Sequence, residues 1–594
     1  MPKISKKKMP SRPEWNLGLL YKSPSDPQIE KDVIHFEKLV DDFAKEFDVP
    51  QKKYLSDSEA MLKALTAYEE SVRESEKKFA LYFYFFRDID ASNRQIDPGI
   101  SRLEGRMAQV MNKIAFFKMS LGQITSAHKK RFISDPRLKH FQIFLSRIFD
   151  DSRYQLSLPE EKIMNLKSIP AFNMWTSGNE RLLNIKTVEW KKKQLPLAQA
   201  LSMSNQLAKA ADRAALSSSI ARTLKTVSPF SEAEINAIYT DKKINDDLRG
   251  FKAPYEDTVR EYRNDPAVVE NLVRAVSDNF RIAHRFHKIK AKLLKLKSLS
   301  YSDRAAKIGK VRTRFTFSKS AEILMDVFGK LDPRFAQIIE TSLKEGRVDA
   351  YPRAGKKSGA YCWSSYSCPT FVLLNHTDNL GAFTTFAHEF GHVFHGEFSK
   401  SQGALYCSNS MSLAETASTL FQTIALDAIY DTLPDHEKMI VLHDRINDDI
   451  ATIFRQIACF NFENDIHTAV RTKGYISALE IAELHNKNMQ AYLGPMFTMK
   501  PDDGYYFVHW SHIRRFFYVY SYAYGQLVSK AMLRRYKADP SFWKSIEKFL
   551  SAGGKDSPEN ILKEIGIDVS KPDFWMEGLK EIEEDIAKLE KLAR

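Results

Sequence analysis

The chain has 594 residues, 43% hydrophobic and 28% charged, which supplies enough apolar surface for a large packed body and excludes disorder over long stretches. The formal net charge of +14 would suit a polyanionic partner, but the lysines and arginines are spread along the whole chain and the aromatics form no stacking motif, so a nucleic-acid partner is not expected. The four cysteines include no C-x-x-C pair, so a thiolate metal site is not expected, and so few in a chain this long do not suggest a disulfide framework, which points to a reducing compartment.

The basic opening with Lys6, Lys7 and Lys8 reads as a frayed tail, and it runs into SRPEWNLGLL with no apolar stretch, so no signal peptide is expected. No apolar run reaches the length of a membrane span, so no membrane partner is expected. Helical spacing then dominates. Ile29, Val33, Phe36, Leu39, Val40 and Phe43 mark one face of an amphipathic helix over 26–47, and the style continues through 58–87. DPG at 97–99, SLPEEK at 157–162 and LDPRF at 331–335 read as helix starts or breaks. A soft boundary near 200 divides an N-terminal helical domain (1–199) from the remainder (200–594).

The main departure from helix is SGAYCWSSYSCPTFVLLN (358–375), which predicts one or two short strands with Phe371–Leu374 as the core strand. A strand beside a cleft can bind an extended peptide along its free edge. The next segment contains His388-Glu389-Phe390-Gly391-His392. On a helix, positions i and i+4 share a face, so the two imidazoles can converge on one zinc ion. Glu389 then lies beside the open coordination position, where it can take a proton from the attacking water and pass it to the leaving amine. The bland alternative is a charged helical face. Phe386, Phe390, Val393 and Phe394 argue against it, because they bury this helix nearly all round, and buried His and Glu need partners.

A third ligand is still needed. His395 points partly off the ligand face, and Glu397 follows His392 too closely to turn back. Glu415, in MSLAETASTLFQT, is the better candidate, since the small residues beside it permit a close helix approach. Ser412 and Glu415 also fit a capping box, which would give Glu415 a purely structural role.

The rest is predicted helical, over 410–430, 437–470, 476–492, 506–534, 541–550, 558–565 and 573–592. His512, Tyr518, Tyr520, Tyr522 and Tyr524 fall on the 506–534 helix, so that Tyr518 pairs with Tyr522 and Tyr520 with Tyr524. Such donors can stabilise an oxyanion, and His512, Tyr518 and Tyr522 are the candidates for it. The alternative is an aromatic core stripe, to which Phe516 and Phe517 belong.

Several separated blocks carry a family resemblance. SGAYC, LLNHTDNL and AHEFGHVFH resemble the run leading into the zinc helix of the oligoendopeptidase F branch of the thimet-oligopeptidase family. AETASTL resembles its third-ligand segment, and FYVYSYAYG (517–525) its tyrosine-rich helix. FLSAGGKDSPENILKEIGID (549–568) resembles its C-terminal block and EWNLGLLYKSPSDPQIEKD (14–32) its opening, so the resemblance is close to full length. It implies a mainly α-helical body with a deep substrate channel and a small β element beside the zinc helix. It also implies one catalytic zinc held by His388, His392 and Glu415, and internal cleavage of short peptides in the cytoplasm. Monomer and homo-oligomer both stay open. Arg514 and Arg515 stand where that branch commonly has aromatics, and Ser511 where it commonly has Pro, so the arginines are expected to add positive charge near the channel and favour acidic peptides. Two rivals remain: a helical metallocarboxypeptidase, with Arg514 or Arg515 binding a free carboxylate, and a non-catalytic zinc-binding scaffold.

Overall fold

The computed structural model describes residues 13–594 apart from 76–77, 91–92 and 94–95. The Lys6–Lys8 run lies outside the described residues. The chain is mainly helical, and its helices begin where local chemistry says they should. Asp26 accepts from the backbone N–H of Gln28 to start Pro27–Phe47. Ser157 and Glu160 form a reciprocal capping box before Leu158–Ser168, and Asp332 caps Pro333–Lys344. Pro98 sits in the first turn of Asp97–Gly122, where its missing N–H is harmless.

The buried apolar residues divide into two cores. The smaller runs from Trp15 to Ile148 and includes Ile29, Val33, Phe36, Val40 and Phe43 from the first long helix. The larger runs from Val188 to Leu589 and is threaded by the 40-residue helix Ala210–Arg249. A small sheet joins them. Its middle strand Phe371–Leu373 is parallel to Val348–Asp349 and antiparallel to Tyr361–Trp363, with Cys362 opposite Val372. Side chains alternate across a strand. Phe371 and Leu373 accordingly enter the smaller core, while Val372 and Leu374 enter the larger one. Tyr361–Trp363 is an edge strand, with no strand paired to its other side among the described residues.

The helix predicted over 506–534 is not continuous. Pro501–His509 and Ser511–Arg514 are short 3-10 turns, and the α-helix begins only at Tyr520 and runs to Ala538. Phe516 and Phe517 break it, with φ of +39° and +60°. Among the described residues, no helix is long and apolar enough to cross a membrane.

Candidate active site

The helix Leu380–Ser399 is capped by Asn379, whose side chain accepts from the Ala382 N–H. Phe383, Phe386, Phe390 and Phe394 bury one side of it, which leaves His388 and His392 one turn apart on another, with ring centroids 5.0 Å from each other. The helix Met411–Tyr430 crosses it closely. A Cβ on Gly391 would lie 2.6 Å from the Cα of Ser418, so only glycine permits this approach. On the other flank, a Cβ on Gly525 would lie 3.0 Å from Glu415 Cβ. The backbone that carries Glu415 is thereby held between two helices.

Glu415 Oε2 lies 3.5 Å from His388 Nε2, and Oε1 lies 3.9 Å from His392 Nε2. One ligand atom from each of the three residues falls within 4.8 Å of the others. Two imidazoles and a carboxylate at this separation fit a divalent metal of intermediate softness. The capping alternative is not formed: Ser410 is the N-cap of the Glu415 helix, and the Glu415 carboxylate instead accepts from Ser418 Oγ at 3.1 Å. His388 Nδ1 is 2.9 Å from Gln422 Oε1, so Nδ1–H donates to the amide and Nε2 keeps its lone pair for a ligand. Gln422 was not read from the sequence, although it lies seven residues after Glu415 and so on the same helix face.

Glu389 is 6% exposed. Burial, and secondarily the Glu415 charge, push its carboxyl up to about 8, partly offset by a hydrogen bond from the Cys362 backbone. Burial likewise lowers His392 to about 4, which keeps it neutral and able to bind a metal. His395 is buried against Phe549 and stays outside the three-residue cluster. Glu397 accepts from Thr370 Oγ1 at 2.5 Å and Lys400 Nζ at 2.8 Å, and so is occupied elsewhere. A cavity of about 490 Å³ is lined by His388, Glu389, His392 and Glu415 together with the edge strand at Tyr361 and Cys362.

The second group of candidates is built differently. His512 and Tyr518 do not share a helix, as expected from spacing, but flank the turn at Phe516 and Phe517. The turn is pinned from outside. Tyr239 Oη donates to Ile513 O at 3.0 Å, Thr258 Oγ1 to Phe516 O at 2.9 Å, and Phe517 N–H to Glu463 Oε1 at 2.9 Å. Arg514 does not carry charge to a channel. It is buried, donates to both oxygens of Glu234 at 3.0 and 2.7 Å, and caps the carbonyls of Phe507 and Trp510. Arg515 is exposed, with its guanidinium 5.9 Å from the Tyr518 ring centroid.

The turn brings His512 Nδ1 within 2.5 Å of Tyr518 Oη, and the Tyr522 ring lies 5.7 Å from that of Tyr518. Burial lowers His512 to about 4 and raises the Tyr518 phenol. Tyr520 and Tyr524 are instead fully buried, with Tyr520 donating to Asn264 and Tyr524 packed on Trp575. The His512 cluster does not line the metal-site cavity itself. Tyr522 lies three residues before Gly525, close to the point where this helix touches the Glu415 helix. Glu463, Glu234 and Thr258 were also not read from the sequence, which offers no local signal for them.

A profile described as peptidase family M3 matches residues 213–581, and one described as oligopeptidase F matches residues 121–180. The Group B oligopeptidase PepB of Streptococcus agalactiae is 24% identical, over 98% of this chain and 97% of its own. Oligopeptidase PepF of Bacillus subtilis is 23% identical, over 97% and 87%. A crystal structure from Chlamydophila abortus, of a protein assigned as a peptidase, superposes with a TM-score of 0.84 at 22% identity and covers 98% of both chains, so the fold is shared.

Proposed function

The chain belongs to peptidase family M3, and from that membership and the cleft geometry we propose a zinc-dependent oligoendopeptidase that hydrolyses internal bonds of short peptides in the cytoplasm. The observation that carries this reading is the convergence of His388, His392 and Glu415 within 4.8 Å beside the buried Glu389. These three side chains would hold one zinc ion, which when bound supplies Lewis acidity towards the scissile carbonyl and the attacking water.

The protein supplies the rest. Gln422 fixes the His388 tautomer. Glu389 accepts a proton from the attacking water as the new C–O bond forms, and delivers it to the amine nitrogen as the C–N bond breaks. A carboxylate held beside the attacking water can perform both transfers in turn. His512 and Tyr518, with Tyr522 behind them, are donors for the oxyanion that develops on the carbonyl. The unpaired side of Tyr361–Trp363 aligns the substrate backbone. Substrate residues beyond the scissile bond lie along the same strand.

The test is cleavage of an internally quenched peptide blocked at both ends, by wild type and Glu389→Gln, each assayed for zinc. The expected result is internal cleavage by wild type, and a variant that retains zinc but loses activity. Cleavage restricted to peptides with a free C-terminus would replace this reading with the carboxypeptidase. Of the two arginines that could serve that rival, Arg514 is committed to Glu234, while Arg515 is exposed. Zinc binding without any turnover by either protein would favour the scaffold.

A further inference from the structure

A second cavity, of about 560 Å³, adjoins the metal-site cavity and shares Tyr361, Ser364, Ser365 and Ser408 with it. Of the edge strand's side chains, Cys362 lines only the metal-site cavity, Trp363 only the second, and Tyr361 both. Cys362 packs with the larger core, towards the metal-site helix, whereas Tyr361 packs with the smaller core. Strand alternation places Trp363 on the Tyr361 face. A peptide paired with this edge would send every second side chain into the second cavity.

The chemistry of that cavity is mixed. Trp363 is 43% exposed, an unusual state for an indole on a strand with core on both faces. With Tyr84 it offers an apolar wall. The charges beside it do not cancel. Asp88 is engaged by Lys357 Nζ at 3.2 Å and by Tyr361 Oη at 2.7 Å. Arg87 lines the same cavity with its guanidinium 5.3 Å from the Tyr84 ring centroid, and among the described residues it has no carboxylate within ion-pair distance. Tyr84 Oη donates to Glu104 Oε1 at 2.6 Å, so that carboxylate is engaged as well, and Arg87 is left as a cation with no direct carboxylate partner beside an apolar wall. We infer that this cavity is a subsite for an acidic side chain of the substrate peptide, with the methylenes on Trp363 and Tyr84 and the carboxylate on Arg87. The inference rests on the metallopeptidase reading above for the path of the substrate. It places charge selection at Arg87 as well as at the Arg514–Arg515 pair to which the sequence pointed.

The experiment compares doubly blocked quenched peptides that carry Glu or Gln at each position in turn. The readouts are kcat/KM for wild type and binding to the Glu389→Gln protein, which needs no turnover. At one position the Glu peptide should be favoured about tenfold, chiefly in KM and in binding. Arg87→Gln should bring that ratio towards one, and Arg87→Glu should invert it in favour of a Lys peptide. A Glu preference that survives both substitutions, or no preference at any position, overturns the inference even where peptides are cleaved. A preference that appears only when the C-terminus is left free overturns the side-chain assignment and gives Arg87 the terminal carboxylate instead. Binding discrimination without cleavage would leave the subsite standing and sink the peptidase reading.

Discussion

The two halves of the candidate site are held together by different physics. His388, His392 and Glu415 converge because two helices cross closely at Gly391, while a third packs on the Glu415 helix at Gly525. His512 and Tyr518 converge because a left-handed turn between them is pinned by Tyr239, Thr258 and Glu463, while Arg514 at its start is anchored to Glu234. Each of these partners is at least 54 residues away in the chain. Helix periodicity puts His388 and His392 on one face, leaves Glu415 between ligand and cap, and is silent about the second convergence. Where two side chains meet across a turn locked by distant buried groups, spacing alone places them on the wrong element.

The sharpest way to test the metal half is at Glu389. Glu389→Gln removes the proton acceptor but leaves all three proposed ligands, so kcat should fall by about 10³-fold with metal content unchanged. Steady-state kinetics beside metal analysis checks this. Metal loss in the variant would mean that Glu389 supports the ligands, and the two roles would have to be exchanged.

What the sequence carried follows the same division. Asp332 and Ser157 announced their helices, because a cap is a contact between near neighbours. Phe371–Leu374 was legible as a buried strand, but not that Phe371 and Val372 face different cores, since both faces are apolar. Phe516 and Phe517 gave no warning of a turn. Bulky residues at positive φ are uncommon, and neither glycine nor proline marks the break. Arg514 beside Arg515 looks like surface charge until Glu234, 280 residues away, is placed against it. The proposed boundary near 200 falls between the two profile-matched segments, while the apolar residues of the smaller core end at Ile148 apart from the three contributed by the 368–373 stretch.

Tyr518→Phe tests whether the second half does chemistry at all. It keeps the ring and removes the donor. If the phenol serves the oxyanion, kcat should drop by about 10²-fold with KM within a few-fold and metal retained. If the cluster is only packing, kcat should hold and the melting temperature should move instead. Gln422→Ala is the matching experiment on the metal half, where His388 would lose its Nδ1–H acceptor. Metal affinity should weaken by about 10- to 100-fold, measured by competition with a chelator, with kcat of the metal-saturated enzyme far less affected.

The smallest effect, and the one that probes the turn itself, is at Glu463. This carboxyl is fully buried, and burial pushes it up to about 8 from an ordinary value near 4.5. Its folded value therefore lies above its unfolded one. The unfolded chain gains by ionising across that window and the folded chain does not, so the stability this group contributes is present below about pH 4.5 and is lost as pH rises towards 8. The loss is about 1.4 kcal/mol per pH unit. Glu463→Gln keeps a carbonyl acceptor for the Phe517 N–H and cannot ionise. Relative to wild type, it should gain stability steadily between pH 5 and 8, with kcat within a few-fold. Glu463→Ala leaves that N–H without its acceptor, which costs about 1–3 kcal/mol, and should loosen the His512–Tyr518 pair and lower kcat further. Thermal melts of both variants across this range, with kcat at pH 7, separate the cases. A Gln variant whose stability tracks wild type at every pH would mean that Glu463 is charged in the folded protein, and the turn would then be held by an ionised group rather than a neutral one.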